Sequence, residues 1–124
     1  PMAIAEQDVV DAYGRVIVAR GTSVNVLSNM PYFMTKLLFI DGREKNHYKW
    51  VKINLKSYPA AKVILTAGKV SDCENQLNRV CYFDQQAKIT QKLGVTHVPA
   101  FVQKHDLSLD VAEIYINGDG NEIN

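Results

Sequence analysis

The sequence predicts a single α/β domain in which a mixed central β-sheet is covered by helices on both faces. From Lys36 onward, short apolar strand patterns alternate with helical patterns, and each helical crossover makes the first strands parallel. The chain then closes with two strands joined by a tight turn, which must be antiparallel. The length of 124 residues suits one domain, and 47% apolar residues exclude a disordered chain.

Residues 1–35 precede the alternating region and predict a short β-hairpin or meander followed by a connector. Val9-Val10 and 16–18 are β-branched runs on either side of a turn that contains Gly14. Pro31 discourages regular structure at Met30 in the connector.

Each element of the following part is predicted from an apolar pattern that ends at turn residues. Leu37-Leu38-Phe39-Ile40 is a continuous apolar run before Asp41-Gly42, as expected for a strand covered on both faces. Tyr48, Val51 and Leu55 share one helical face. The predicted order is strand 37–40, helix 44–55, strand 62–65, a helix with its N-cap at Ser71, strand 80–83, helix 85–93 with Gly94 as C-cap, strand 100–103, a turn at His105-Asp106 and strand 109–116.

This β-α-β-α-β-α-β-β order, with a proline at the start of the penultimate strand, predicts a thioredoxin-like three-layer architecture preceded by the hairpin. We assign residues 36–117 to this domain. Residues 118–124 are predicted to be a frayed polar tail. Residues 117–122 superficially resemble a calcium loop but lack the ligand at the twelfth position.

Charge and hydropathy exclude several classes of partner. Fourteen basic and thirteen acidic residues leave a net charge of +1, which argues against direct binding to nucleic acid or an anionic membrane. No apolar run exceeds four residues, whereas a transmembrane helix needs about 20. His47, His97 and His105 show no metal-ligand spacing, so we expect neither a metal nor a cofactor. Because the chain begins at Pro1, we expect a processed or truncated piece of a longer protein.

Several short motifs along the chain carry a resemblance to a known family. They are 14–16, 19–22 with 24–25, 37–42 with Trp50, 62–65 with Gly68, 79–80 with 82–85, and 93–95 with 98–100. Their order and spacing make residues 8–116 similar to the C-terminal half of the TraW family of F-type conjugation proteins. The sequence departs from the family pattern at Val26, where proline is expected, and at Gln86-Ala87, where a glycine turn would follow Gln85.

The resemblance implies a non-enzymatic, periplasmic component of a conjugative type IV secretion system. Such a protein acts in pilus assembly and plasmid DNA transfer through docking to other proteins, without chemistry on DNA. The implied partners are TrbC-like and TraU-like secretion proteins, and the oligomeric state is left open.

The predicted fold also raises a redox hypothesis. A thiol-disulfide oxidoreductase needs an activated thiolate, commonly at a helix N-terminus, and a second thiol within reach. In a thioredoxin-like chain this pair lies between the first strand and the first helix of the domain. Here that position is Asp41-Gly42-Arg43-Glu44, without sulfur, so we expect no catalytic residues. Two alternatives are an oxidoreductase and a thioredoxin-like peptide-binding module outside conjugation.

The two cysteines are predicted to lie near each other, Cys73 on a helix and Cys81 on the next strand. A layer spacing of about 10 Å and a helix radius of about 2.3 Å place their Cα atoms roughly 7–8 Å apart. A disulfide requires about 4.4–6.8 Å. We therefore expect two buried free thiols, with a disulfide as the alternative.

The candidate partner-binding residues lie around Pro99. In thioredoxin-like folds a cis proline opens this strand, so the resemblance implies a cis Val98–Pro99 bond, with an ordinary trans proline at the start of the strand as the alternative. His97 and Val98 would form an exposed rim beside Asp41 and Gly42. Trp50 is expected in the core.

Overall fold

The computed structural model describes residues 9–10, 16–18, 36–105 and 108–123. The predicted connector and Asp106 of the predicted turn lie outside these ranges. Two strands, β1 (Val9–Val10) and β2 (Val16–Val18), pair antiparallel as the predicted hairpin.

A five-stranded mixed sheet forms the body of the protein, in the order β5-β4-β3-β6-β7. β3, β4 and β5 are parallel, whereas β6 is antiparallel to both of its neighbours, β3 and β7. The strands are β3 (Leu37–Asp41), β4 (Lys62–Ala67), β5 (Cys81–Phe83), β6 (Ala100–His105) and β7 (Ser108–Glu113).

Three helices connect these strands and cover both faces of the sheet, which confirms the predicted three-layer architecture. The helices α1 (Lys45–Ser57) and α2 (Val70–Leu77) pack on one face, and α3 (Lys88–Leu93) packs on the other. Both α1 and α2 connect neighbouring parallel strands, so each is a crossover connection.

The core forms because β3 is apolar on both faces. Leu38 and Ile40 contact the α1 side, and Phe39 packs toward α3 in the opposite cluster. Trp50 of α1 is only 1% exposed, so its predicted place in the core is confirmed.

The start of α2 differs from the prediction. The N-cap is Lys69, which makes no side-chain capping hydrogen bond, and Ser71 lies inside the helix. Gly68, with φ of +90°, turns the chain directly from β4 into the helix, so the helix begins before the serine can cap it.

The predicted helix 85–93 is also broken. Residues 85–87 form a 3-10 turn in which Gln86 and Ala87 have φ of 56° and 57°, and α3 begins at Lys88. The left-handed conformations fall where the family pattern places a glycine turn. The Asp84 carboxylate accepts hydrogen bonds from the backbone N–H groups of Ile89 and Thr90 and so caps the short helix. Gly94 ends it with φ of 73°, as predicted.

Of the predicted frayed tail 118–124, the described residues 118–123 are instead packed against the domain. Ile116 pairs with Glu122 in an antiparallel bridge, and the carboxylate of Glu122 accepts a hydrogen bond from the indole N–H of Trp50. Gly120 is buried against α1, where a Cβ would lie 2.5 Å from the backbone nitrogen of Trp50. The segment is therefore packed on α1.

No helix among the described residues is long and apolar enough to cross a bilayer.

The left-handed conformation of Ala87 predicts a stabilising substitution. A Cβ disfavours this conformation by about 1–2 kcal/mol, whereas glycine adopts it freely. We expect Ala87→Gly to raise the free energy of unfolding by about 1 kcal/mol in urea denaturation.

The matched control is Ala60→Gly, because Ala60 is also exposed in a turn but does not have a positive φ. This change is expected to leave stability unchanged or to lower it by about 0.4–1 kcal/mol. An equal gain in both variants would contradict the explanation.

Candidate functional site

The corner between β3 and α1 occupies the position where the redox hypothesis requires a thiol. The Asp41 carboxylate instead accepts hydrogen bonds from the backbone N–H, Nε and Nη2 of Arg43, at 2.8–2.9 Å. The guanidinium lowers the pKa of Asp41 from its ordinary value, mainly through this side-chain hydrogen bond. The corner therefore holds a fixed ion pair and no nucleophilic sulfur.

Two side chains from the first turn of α1 fix the backbone of this corner from within. The N–H of Asp41 donates to Nδ1 of His47 at 3.0 Å, and the hydroxyl of Tyr48 donates to the carbonyl of Gly42 at 2.7 Å. Both side chains are buried. Burial lowers the pKa of His47, partly offset by the carboxylates of Asp41 and Glu44, so the neutral, hydrogen-bond-accepting ring is favoured.

Gly42 and Gly68 bring the corner against the end of β4. A Cβ on Gly68 would lie 2.8 Å from the carbonyl carbon of Gly42, and the N–H of Gly42 donates to the Ala67 carbonyl at 2.8 Å. Side chains at either position would force the two chain segments apart, so the glycines determine where α1 and α2 begin.

The turn before β6 is the second part of the predicted partner surface. The Val98–Pro99 bond is cis, as expected. Glu113 of β7 holds this turn, because its Oε2 accepts hydrogen bonds from the backbone N–H groups of Thr96 and His97, at 2.6 and 3.0 Å. These hydrogen bonds lower the pKa of Glu113.

The sheet register places the β3–α1 corner and the turn before β6 at the same end of the two strands. The last pair between β3 and β6 is Phe39 with Ala100, so Asp41 follows that pair by two residues and Val98 precedes it by two. The exposures are unequal: the His97 side chain is 68% exposed and Val98 is half-buried, whereas Gly42 and Pro99 are buried and the Asp41 side chain is 15% exposed. The predicted rim is therefore mainly His97, with Val98 beside it.

The two cysteines form a disulfide, which corrects the expectation of free thiols. Their Cα atoms are 6.3 Å apart, closer than the mean layer spacing suggested. Both side chains are small, which lets α2 approach β5 closely. Cys73 and Cys81 are completely buried, so the bridge is a cross-link inside the core and not part of the β3–α1 corner.

Sequence reasoning missed three residues that build the site: His47, Tyr48 and Glu113. In the sequence, His47 is recognisable only as an isolated histidine and Tyr48 only as a tyrosine on the apolar face of a predicted helix. Glu113 contacts the Pro99 turn through the register of β6 with β7, which no local pattern reveals. Among the described residues no cluster of histidine, cysteine and carboxylate side chains has the arrangement of a metal site.

The depressed pKa of His47 predicts a pH dependence of stability. In the unfolded chain the pKa returns to about 6.5, so below that pH the unfolded state binds more protons than the folded state. The stability contributed by neutral His47 is complete above pH 6.5 and is lost as the pH falls toward the lower folded-state pKa. We expect urea unfolding at pH 5.5 to show lower stability than at pH 7.5.

His47→Asn keeps an acceptor near the position of Nδ1 but does not titrate, so it should reduce this pH difference. Gln91→Asn is the control, because Gln91 is exposed on α3 and neither side chain titrates, so the difference should stay unchanged. An unaltered pH difference in His47→Asn would contradict the assignment.

Comparison with known proteins relates this geometry to others. No protein-family model matches the chain. Over 95 residues the chain is 34% identical to Protein TraW of Escherichia coli strain K12, an alignment that covers 77% of this chain and 45% of TraW. The chain thus spans about half the length of that relative.

Two solved structures from Mycobacterium tuberculosis share the fold. DsbF, in its mixed oxidised and reduced forms, has a TM-score of 0.60 and 14% identity, covering 93% of this chain and 89% of its own. A secreted disulfide oxidoreductase homologous to E. coli DsbE has a TM-score of 0.52 and 15% identity, covering 96% and 81%. At these identities the likeness concerns the fold alone. The chain is a TraW-like protein with a thioredoxin-like fold.

Proposed function

We propose that this chain is a non-enzymatic component of a conjugative transfer system and works by docking to other proteins of the secretion machine. The similarity to TraW supports the system. The observation that carries the mode of action is the β3–α1 corner, where a fixed Asp41–Arg43 ion pair stands in the place of a reactive thiol.

The chemistry of the corner supports binding over catalysis. Thiol-disulfide exchange begins with a thiolate that attacks another sulfur. At this corner Asp41 and Arg43 neutralise each other, and the buried ring of His47 already accepts the Asp41 N–H. These groups stabilise the backbone conformation of the corner, and none of them carries a sulfur atom that could react with a substrate.

The Cys73–Cys81 bridge is the feature that favours the second candidate, a thiol-disulfide oxidoreductase. Exchange requires access to one sulfur of the pair, whereas both cysteines are 0% exposed. The bridge therefore supports a structural role. Disulfides persist in oxidising compartments, so it also supports our proposal that the protein works in the periplasm.

The proposed docking surface is the turn around His97 and Val98, beside Asp41, Gly42 and Pro99. The Glu113 carboxylate fixes the backbone of this turn through two N–H groups. A turn ordered before binding loses less conformational entropy when a partner arrives. We propose TrbC-like and TraU-like proteins as the partners, with pilus assembly and DNA transfer as the process.

One test of the proposed function separates docking from redox catalysis. The chain and its Cys73→Ser/Cys81→Ser variant should both reduce insulin no faster than dithiothreitol alone. The same variant should lose about 2–3 kcal/mol of stability, because the bridge closes a loop of about nine residues in the unfolded chain. Catalysed insulin reduction by the wild-type chain that the variant lacks would establish the oxidoreductase instead.

Another test of the proposed function concerns the docking surface. His97→Ala should weaken co-purification and the measured affinity for a TrbC-type partner by about fivefold or more, as expected when an interface residue worth over 1 kcal/mol is truncated. The measurement is a titration by isothermal calorimetry with matched thermal unfolding curves.

Lys52→Ala is the control, because Lys52 is exposed on α1 and lies outside the proposed surface. Equal affinities for the His97 variant, the Lys52 variant and the wild-type chain would remove this surface from the interface. Absence of any binding to secretion partners would overturn the proposed function.

A further inference from the structure

A groove lies beside the β3–α1 corner, on the side away from His97 and Val98, the rim residues of the turn at Pro99. Its volume is about 810 Å³, within the range of sites that hold ligands. The glycine contact between β3 and β4 lies at this groove, and the starts of α1 and α2 form its walls. The charged and amide side chains that line it are Arg43, Lys45, Lys69, Asp72, Asn75 and Gln76.

The charges in the groove leave two lysines uncompensated. Arg43 is bound by the Asp41 carboxylate, so its charge is already satisfied. Lys45 and Lys69 are exposed, and no carboxylate in the described part of the chain lies within ion-pair distance of either. Asp72 is the one acidic residue among those that line the groove.

The positions of these lysines oppose the stability of their helices. Lys45 is the first residue of α1, which has no acidic residue in its first turn, and Lys69 is the N-cap of α2. A positive side chain at a helix N-terminus is unfavourable because the peptide dipoles already place positive charge there. Departures from local rules of this kind are expected mainly at functional sites.

The polar wall of the groove is elongated. Lys69, Asp72, Asn75 and Gln76 follow one face of α2 at helical spacing. At 1.5 Å per residue this stripe is about 10 Å long, which matches about three residues of extended chain at 3.3 Å each. An extended segment fits this shape better than one small anion.

We propose that the groove binds an extended acidic segment of a partner protein, whose carboxylates contact Lys45 and Lys69 while its backbone lies along Asn75 and Gln76. The inference deepens the proposed docking function and rests on it for the source of the segment.

The test uses an N-terminally fluorescein-labelled hexaglutamate peptide and fluorescence anisotropy at 20 mM and 200 mM salt. We expect the wild-type chain to bind at low salt and more weakly at high salt. Lys45→Gln/Lys69→Gln should weaken binding about five- to tenfold, the sum of two exposed ion pairs. The same variant should have a Tm about 2–5 °C higher, because two unfavourable charges are removed.

The matched control is Lys52→Gln/Lys56→Gln, which removes the same amount of charge from α1 outside the groove. Lys56 lies in the last turn of α1, where a cation is favourable, so this control should not raise the Tm. Equal weakening in the two double variants, or no binding at 20 mM salt, would overturn the inference. A lowered Tm with lost binding would assign the lysines to the fold and would also overturn it.

Two further outcomes separate the hypotheses. If inorganic phosphate binds the wild-type chain more tightly than hexaglutamate does, a small anion is the ligand and the inference fails. If a secretion partner binds through His97 without dependence on Lys45 and Lys69, this inference fails while the proposed function stands. If binding of hexaglutamate requires Lys45 and Lys69 but no secretion partner binds, the assignment of the groove to an acidic ligand stands and the proposed function fails.

Discussion

The close contact between Gly42 and Gly68 is the constraint on which the arrangement of this protein depends. Any side chain at Gly68 would collide with the backbone of Gly42, and the N–H of Gly42 is already bound to the carbonyl of Ala67. The two parallel strands can therefore end at one level only, with α1 and α2 starting side by side. The groove between the starts of the two helices follows from that placement.

Much of the fold could be predicted because apolar patterns are local. Leu37–Ile40 indicates a doubly covered strand from its composition alone, and the alternation that follows indicates parallel crossovers. The errors arose where backbone conformation overrides residue preference. Ser71 is a good capping residue placed two positions too late, and Gln86 and Ala87 adopt left-handed conformations that their side chains disfavour.

The candidate site was predictable only in part, since its contacts join distant parts of the chain. Asp41 and Pro99 were located because strand ends can be predicted from sequence. Glu113 reaches the backbone of His97 across the pairing of β6 with β7, a register that the sequence does not specify. The disulfide was misjudged for a related reason, because an average spacing between layers does not describe two small side chains in direct contact.

The packing of the last residues on α1 has a practical consequence for defining the folding unit. A boundary drawn by composition at residue 117 would separate the indole of Trp50 from the carboxylate that accepts its hydrogen bond, and would uncover the helix backbone that Gly120 covers. For expression or dissection of this protein, the shortest self-contained fragment must therefore extend at least through Ile123, whose N–H closes the final turn on the carbonyl of Tyr115.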